Sequence, residues 1–273
     1  MAEYDPRVLR VGVQVGDLVN WYQDLTLTVS GSKSSNDNQA DCTVKLTNLS
    51  KEVRDYLLKE TSPFNKNATK KRVVVQAGRE SIGVVRVFEG DITKSAISQP
   101  PDIELTLTAK ANNAMKGKMV TQVFAEQAKL SEIAKKVAED LELSLDFQAA
   151  DKNIRSYSYT GPALKQVTKL AEMGNVNAYI DGDFLIVKDS DKPLMGKRKI
   201  LNVESGMVGI PELTEKGVKV KFLFDPDTTL GSELKIESDL NPAVAGDYII
   251  YKLDFSLSNH STDFYWTAEA KRK

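Results

Sequence analysis

A period-two alternation of apolar and polar residues constrains this chain more than any other feature. Leu9, Val11, Val13 and Val15 fall on one side of an extended segment, as do Leu25, Leu27 and Val29. Cys42, Val44 and Leu46 repeat the pattern against Thr43, Lys45 and Thr47, and Ile103, Leu105 and Leu107 repeat it before Ala109. Successive side chains of a strand point to opposite faces, so this pattern predicts half-buried antiparallel strands from Arg7 to Lys110, arranged as a barrel or sandwich. The same signature returns near the other end. Val218, Val220, Phe222 and Phe224 alternate with Lys219, Lys221 and Leu223, and Ile249, Tyr251, Leu253, Phe255 and Leu257 are expected on one face of a long strand. A turn at Asn259-His260-Ser261 then leads into a last strand carrying Phe264, Trp266 and Ala268.

Between these blocks the period changes. Residues 130–139 and 164–172 carry helical spacing and resemble each other, Lys-Val-Ala-Glu against Lys-Leu-Ala-Glu, so the region from Lys118 to Lys188 reads as two related α/β units. Thr160-Gly161-Pro162 is expected to cap and open the second helix, and Gly174-Asn175 to end it. Asp181-Gly182-Asp183 predicts a tight hairpin between Ala178–Ile180 and Phe184–Val187. A further helix, with Ser50 as cap, Glu52 in its first turn and Val53, Tyr56 and Leu57 on one side, is expected to stop at Pro63. Two segments read as irregular: the polar run from Gly31 to Gln39 as a long flexible hairpin loop, and Asp189 to Lys199 as a linker.

Composition narrows the function. The 37 basic and 38 acidic residues nearly cancel, which disfavours sequence-independent binding to DNA or to anionic lipid. The single cysteine, Cys42, has no intrachain disulfide partner and reads as a small core residue. No stretch approaches the ~20 apolar residues of a membrane span, and Met1-Ala2-Glu3-Tyr4-Asp5-Pro6 lacks a basic region followed by an apolar one, so neither membrane insertion nor export is expected. The one histidine, His260, stands in a polar turn without cysteine or carboxylate neighbours at metal-binding spacing. Asp225-Pro226-Asp227 and Asp181-Gly182-Asp183 lack the spaced donors of a calcium loop and read as turns. Lys66, Lys70, Lys71 and Arg72 lie at a loop-to-strand junction without interleaved aromatics, and read as a solvated loop. The expectation is no enzyme, no catalytic, cofactor-binding or metal-binding residue, and no cofactor.

Several runs in a fixed order carry a family resemblance. They are Asn38, Ala40 and Val44-Lys45-Leu46-Thr47-Asn48-Leu49-Ser50; Glu89-Gly90-Asp91-Ile92; Tyr157-Ser158-Tyr159-Thr160-Gly161-Pro162; Leu170-Ala171-Glu172; Ser205-Gly206-Met207-Val208-Gly209-Ile210-Pro211; and Leu230-Gly231-Ser232-Glu233-Leu234-Lys235-Ile236. In that order the chain resembles the bacteriophage baseplate hub and late-control tail proteins, related to the hub part of type VI secretion spikes. The resemblance implies a β-rich α+β fold in which two antiparallel β-barrel, tube-type domains, residues 1–115 and 194–273, flank small α/β units at 116–193. It also implies a homotrimer that presents a pseudo-sixfold ring to the tail tube protein above, meets a spike protein below and other baseplate proteins at its periphery, and lets DNA pass through its lumen. The place so implied is the tail baseplate of a virion, assembled in the bacterial host cytoplasm, with no integral membrane association. Rival readings are another tail tube or distal-tail component, a cell-wall glycan-binding module and a carboxylate-based wall hydrolase.

Overall fold

A computed structural model describes residues 5–62, 64–65, 71–124 and 126–273, with the side chains of residues 37 and 38 left aside. The first block contains strands β1 (Arg7–Val15), β2 (Leu18–Tyr22), β3 (Thr26–Ser34) and β4 (Asp37–Thr47), helix α1 (Lys51–Glu60), and strands β5 (Arg72–Arg79), β6 (Gly83–Ile97) and β7 (Glu104–Lys110). The middle holds β8 (Met119–Val123), β9 (Gln127–Lys129), α2 (Leu130–Asp140), β10 (Ser144–Gln148), β11 (Asn153–Arg155), β12 (Ser158–Pro162), α3 (Ala163–Gly174), β13 (Asn177–Asp181) and β14 (Phe184–Lys188). The last block contains β15 (Arg198–Leu201), β16 (Met207–Thr214), β17 (Gly217–Leu223), β18 (Glu233–Ile236), β19 (Gly246–Ser258) and β20 (Phe264–Arg272).

The β-rich, largely antiparallel architecture is as expected. The strands of both outer blocks form one thirteen-stranded sheet in the order β16-β17-β20-β19-β3-β4-β7-β6-β5-β1-β2, with β18 joining β19 and β15 pairing β18. Among the described residues no barrel closes within the chain. The seam is β3 against β19, antiparallel from Ser34 opposite Lys252 to Thr28 opposite Ser258. Each of these strands offers its outer backbone groups to the other, which removes two open edges at once. One row crosses seven strands in register: Phe222, Trp266, Phe255, Gly31, Cys42, Ala109 and Ile92. All but Gly31 are buried hydrophobic residues, and they share one apolar core. Gly31 answers a packing demand at the seam, because a Cβ there would lie 2.3 Å from both the Asp41 carbonyl oxygen and the Phe255 ring. Phe255 crosses over the backbone of β3, with the Trp266 ring edge-on at 5.9 Å.

The middle segment has its own core, in which Leu130, Ile133 and Val137 of α2 meet Val167 and Leu170 of α3 and Leu185 and Val187 of β14. The two related helices each sit in a strand–helix–strand unit, β9-α2-β10 and β12-α3-β13, and β10 and β13 flank the shared strand β14. Asp151 completes the start of α2 by accepting the Ser131 amide at 3.1 Å and its hydroxyl at 2.8 Å. The Ser131 amide is also the leading reason that the Asp151 pKa lies below the usual carboxylate range.

Several local expectations are corrected. The flexible loop expected from Gly31 to Gln39 shrinks to Ser35–Asn36, because β3 and β4 run through the rest of it. Ser35 is buried and its amide donates to the Tyr251 carbonyl at 2.9 Å. Short polar side chains read as a loop, but they equally suit a strand whose outer face meets water. In β19 the single alternation expected from Ile249 to Leu257 breaks at a bulge between Ile250 and Lys252. Ile249 and Ile250 are both buried, while Tyr251 turns out to bond Glu269 at 2.8 Å.

At the second helix, Thr160-Gly161-Pro162 lies in β12 and provides no side-chain cap; Asn175, with φ 45°, terminates the helix as expected. Ser50 occupies the cap position of α1 without a side-chain bond, and the helix ends with the Thr61 hydroxyl on the Leu57 carbonyl at 2.8 Å. Pro63, expected to end that helix, lies outside the described residues, as do Lys66 and Lys70. Lys71 is buried beside Glu60 and over the Tyr56 ring, so it is no solvated loop residue. The linker read at Asp189–Lys199 is pinned by Leu194, which is buried in the large core, and passes into β15 at Arg198.

Candidate assembly surfaces

The reverse of the buried row is a polar surface. In register with it run Leu223, Tyr265, Ser256, Ser30, Thr43, Thr108 and Lys94 on one side, and Lys221, Thr267, Asp254, Ser32, Asp41 and Lys110 on the other. None of these residues is buried. Alternation dictates this outcome: once Phe255, Cys42 and Leu107 point into the core, their neighbours point away from it. The outcome is a face of hydroxyls with charges of both signs, and Lys221 lies 4.1 Å over the Tyr265 ring. Such a face offers neither the apolar area of a permanent interface nor the cationic excess of a phosphate binder.

A second surface joins the two cores. The tight turn Asp181-Gly182-Asp183, with Gly182 at φ 60°, places the Asp181 carboxylate between the outer blocks and the more exposed Asp183 beside the first. Lys33 of β3 bonds Asp181 at 3.0 Å with both side chains largely buried, and the Thr229 hydroxyl bonds the other oxygen of the same carboxylate. Arg86 of β6 bonds Asp183 and also Glu89, at 2.6 Å for the latter. The Asp183 hydrogen bond is the leading reason that the Arg86 pKa is raised. Tyr179 of β13 donates its hydroxyl to the Leu230 carbonyl at 3.1 Å, and Lys271 donates to the Ser190 carbonyl at 2.6 Å. A cleft of about 260 Å³ beside this clasp is lined by Lys33, Arg86, Glu89, Asp181 and Asp183 among others.

The remaining sequence candidates fall where chemistry is weak. His260 is exposed in the β19–β20 turn, and its amide donates to the Ser258 hydroxyl. Cys42 is buried, and burial pushes its thiol pKa strongly upward, so the thiol stays protonated. Asp225 is a turn residue: Lys199 at 2.6 Å and the Thr228 hydroxyl at 3.0 Å hold its carboxylate. Burial opposes ionisation of Asp225, but the Lys199 bond and charge outweigh it and lower the pKa. Among the described residues no three His, Cys, Asp or Glu side chains gather as metal ligands, and no helix is long and apolar enough to cross a membrane. Sequence reasoning named no site residue and missed the clasp. The signal for it, two aspartates flanking a glycine, was indistinguishable from an ordinary hairpin.

This fold is shared with solved phage tail and secretion-system proteins. The tail protein of Neisseria meningitidis MC58 shares it with a TM-score of 0.66 at 10% identity, over 97% of each chain. The 43 kDa tail protein of prophage MuSo2 from Shewanella oneidensis gives 0.62 at 11% identity, over 97% of this chain and 98% of that one. The E. coli c3393 protein, a component of the type VI secretion system, gives 0.61 at 11% identity, over 96% of this chain and 76% of that one. No curated protein matches the sequence. The chain belongs to the baseplate hub gp41 family, whose sequence model matches residues 8–270. It is a structural component of the phage tail baseplate rather than an enzyme.

Proposed function

We propose that this chain forms the baseplate hub as a homotrimeric, pseudo-sixfold ring that joins the tail tube protein to the central spike and lets DNA pass during host entry. The observation that carries this reading is the eight-strand run β16-β17-β20-β19-β3-β4-β7-β6, to which the outer blocks contribute four strands each. Two quasi-equivalent four-strand contributions per chain make a threefold assembly look sixfold to a tube. In this reading residues 1–115 and 194–273 are the two tube-type domains, their barrel being completed between subunits. Residues 116–193 form the peripheral α/β domain, where other baseplate proteins attach. The hydroxyl-rich face turns toward the lumen, since its mixed charges give DNA phosphates no continuous row of cations to hold them. Assembly takes place in the bacterial host cytoplasm before incorporation into the virion.

Light scattering combined with negative-stain class averages tests the reading, on the protein alone and mixed with the neighbouring tail proteins. The expected result is a threefold ring with a central hole. A chain that remains a monomer beside its tail partners overturns it.

A further inference from the structure

The last strand of the large sheet, β2, is an edge of a kind that proteins seldom leave open. It pairs with β1 along its whole length without a register shift, and among the described residues nothing pairs with its other side. Edge strands are ordinarily blunted by a lysine, a proline, a bulge or an inward-pointing charge. β2 has none of these: its residues, Leu-Val-Asn-Trp-Tyr, are uncharged, and Leu18, Val19 and Trp21 are 72%, 44% and 48% exposed. We propose that this edge receives an extended segment of another baseplate protein, which adds a strand beside β2 and carries a basic residue at each end of an apolar run. The proposal uses the chain's place in the baseplate and not the symmetry of the ring, so the two readings fail independently.

The edge is held ready for a partner. Val11 and Val13 of β1 point into the large core, so Gly12 between them faces the other way. Trp21 stands opposite Gly12, and a Cβ at that glycine would lie 2.9 Å from Val19 and 3.1 Å from the Trp21 ring. Both side chains therefore lean across the backbone of β1, where the glycine makes room for them. Leu18 and Tyr22 share the opposite face; Tyr22 packs against the core, while Leu18 stands in water. The turn before β2 is tied to helix α1, because the Gly16 amide donates to the Tyr56 hydroxyl at 3.0 Å. A partner thus meets a strand already ordered by its own fold, with apolar side chains on both faces.

Charge selects the occupant. Asp17 and Asp24 flank β2, one beyond each end, and both are exposed. Neither carboxylate has an ion pair or hydrogen bond among the described residues. The nearby cation, Arg10, is held by the Gln23 side chain at 2.9 Å. A second copy of β2 is a poor occupant, because antiparallel pairing would bring Asp17 of one chain toward Asp24 of the other, and like charges across a pair destabilise it. Opposite charges favour it, so the fitting strand has Lys or Arg at both ends. Its backbone supplies the hydrogen bonds, and its alternate apolar side chains cover Val19 and Trp21 on one face and Leu18 on the other. Its cations reach the two aspartates.

The test uses assembled baseplates containing the full chain with Leu18→Cys, labelled with a benzophenone maleimide and irradiated. Cys42 is buried and does not compete for the label. Mass spectrometry should place the cross-link on a segment of a different baseplate protein that has alternating apolar residues and a basic residue at each end. Asp17→Lys combined with Asp24→Lys should lower the cross-link yield several-fold, while the oligomeric state and thermal midpoint of the isolated chain stay unchanged. In baseplates of the unaltered chain, amides of Leu18–Tyr22 should exchange with solvent more slowly than in the isolated chain. Cross-links only to further copies of this chain, cross-links indifferent to the charge reversal, or no cross-link and no added protection in the baseplate each overturn the proposal.

Discussion

The large sheet and the α/β body bury their apolar residues through contacts of very different reach. In the sheet, residues 28–34 pair with residues 252–258, so the central seam forms only when the two ends of the chain meet. In the body, α2, α3 and their strands come from the single stretch between Gln127 and Lys188. Closing a long loop costs entropy before any contact repays it, whereas neighbouring segments find each other cheaply. The sheet must therefore be all-or-none across both outer blocks, while the body has the means to open and close as a smaller unit.

Optical probes separate the two regions. Both tryptophans, Trp21 in β2 and Trp266 in β20, report on the sheet, whereas two of the three α-helices among the described residues, α2 and α3, belong to the body. The largest effect is expected from Phe255→Ala, which removes the ring crossing the seam. It should cost about 3–5 kcal/mol and shift the tryptophan-fluorescence unfolding midpoint in urea. If fluorescence barely responds, the seam is not what unites the blocks.

Leu130→Ala, in the body's core, should cost about 2–5 kcal/mol. It should produce an earlier transition in far-UV circular dichroism while tryptophan fluorescence keeps its midpoint. Coincident shifts in both signals would show instead that the molecule unfolds as one cooperative unit.

Asp181→Asn acts between the regions. It leaves Lys33 without its carboxylate and weakens the clasp by about 2 kcal/mol, the scale of a hydrogen bond to a charged group. The expected signature is a wider gap between the two transitions rather than a large shift of either one.

A further effect concerns pH. Burial pushes the Lys188 pKa down to about 8, with the Lys271 charge adding to it against Asp191 and Asp189. The unfolded chain holds this proton up to about pH 10.4. Between the two values the unfolded state binds more protons, so stability should rise with pH across that window. Lys188→Met should remove this rise, seen as the difference between wild-type and variant thermal midpoints from pH 7 to 10. Parallel profiles would show that the Asp189 and Lys192 carbonyls, which accept from this ammonium at 3.2 and 2.6 Å, compensate fully for its burial.

Several strands with one apolar face were legible, because alternation is written in the side chains themselves: Val44 and Leu46 in β4, or Val218, Val220 and Phe222 in β17, are buried as their spacing requires, although β5, with Val73, Val75 and Ala77 equally buried, was not singled out. The two helices of the body and the Asp181-Gly182-Asp183 hairpin were legible for the same local reason. Polar strand residues were not, since Ser30, Ser32 and Ser34 carry no mark that distinguishes a wetted sheet face from a loop. The bulge near Tyr251 was equally hidden, because a register shift depends on the partner strand.

The assembly surfaces divide along the same line. Residues 8–270 held enough ordered pattern to match a hub family from sequence. That the outer blocks share one sheet, that Lys33 and Arg86 receive the aspartates of a distant turn, and that β6 and β16 end the eight-strand run in opposite directions depended on tertiary structure alone. The physical reason is that a sequence fixes which face of each strand avoids water, a local property, while the partner that satisfies each strand's backbone edge is chosen among all strands of the folded chain.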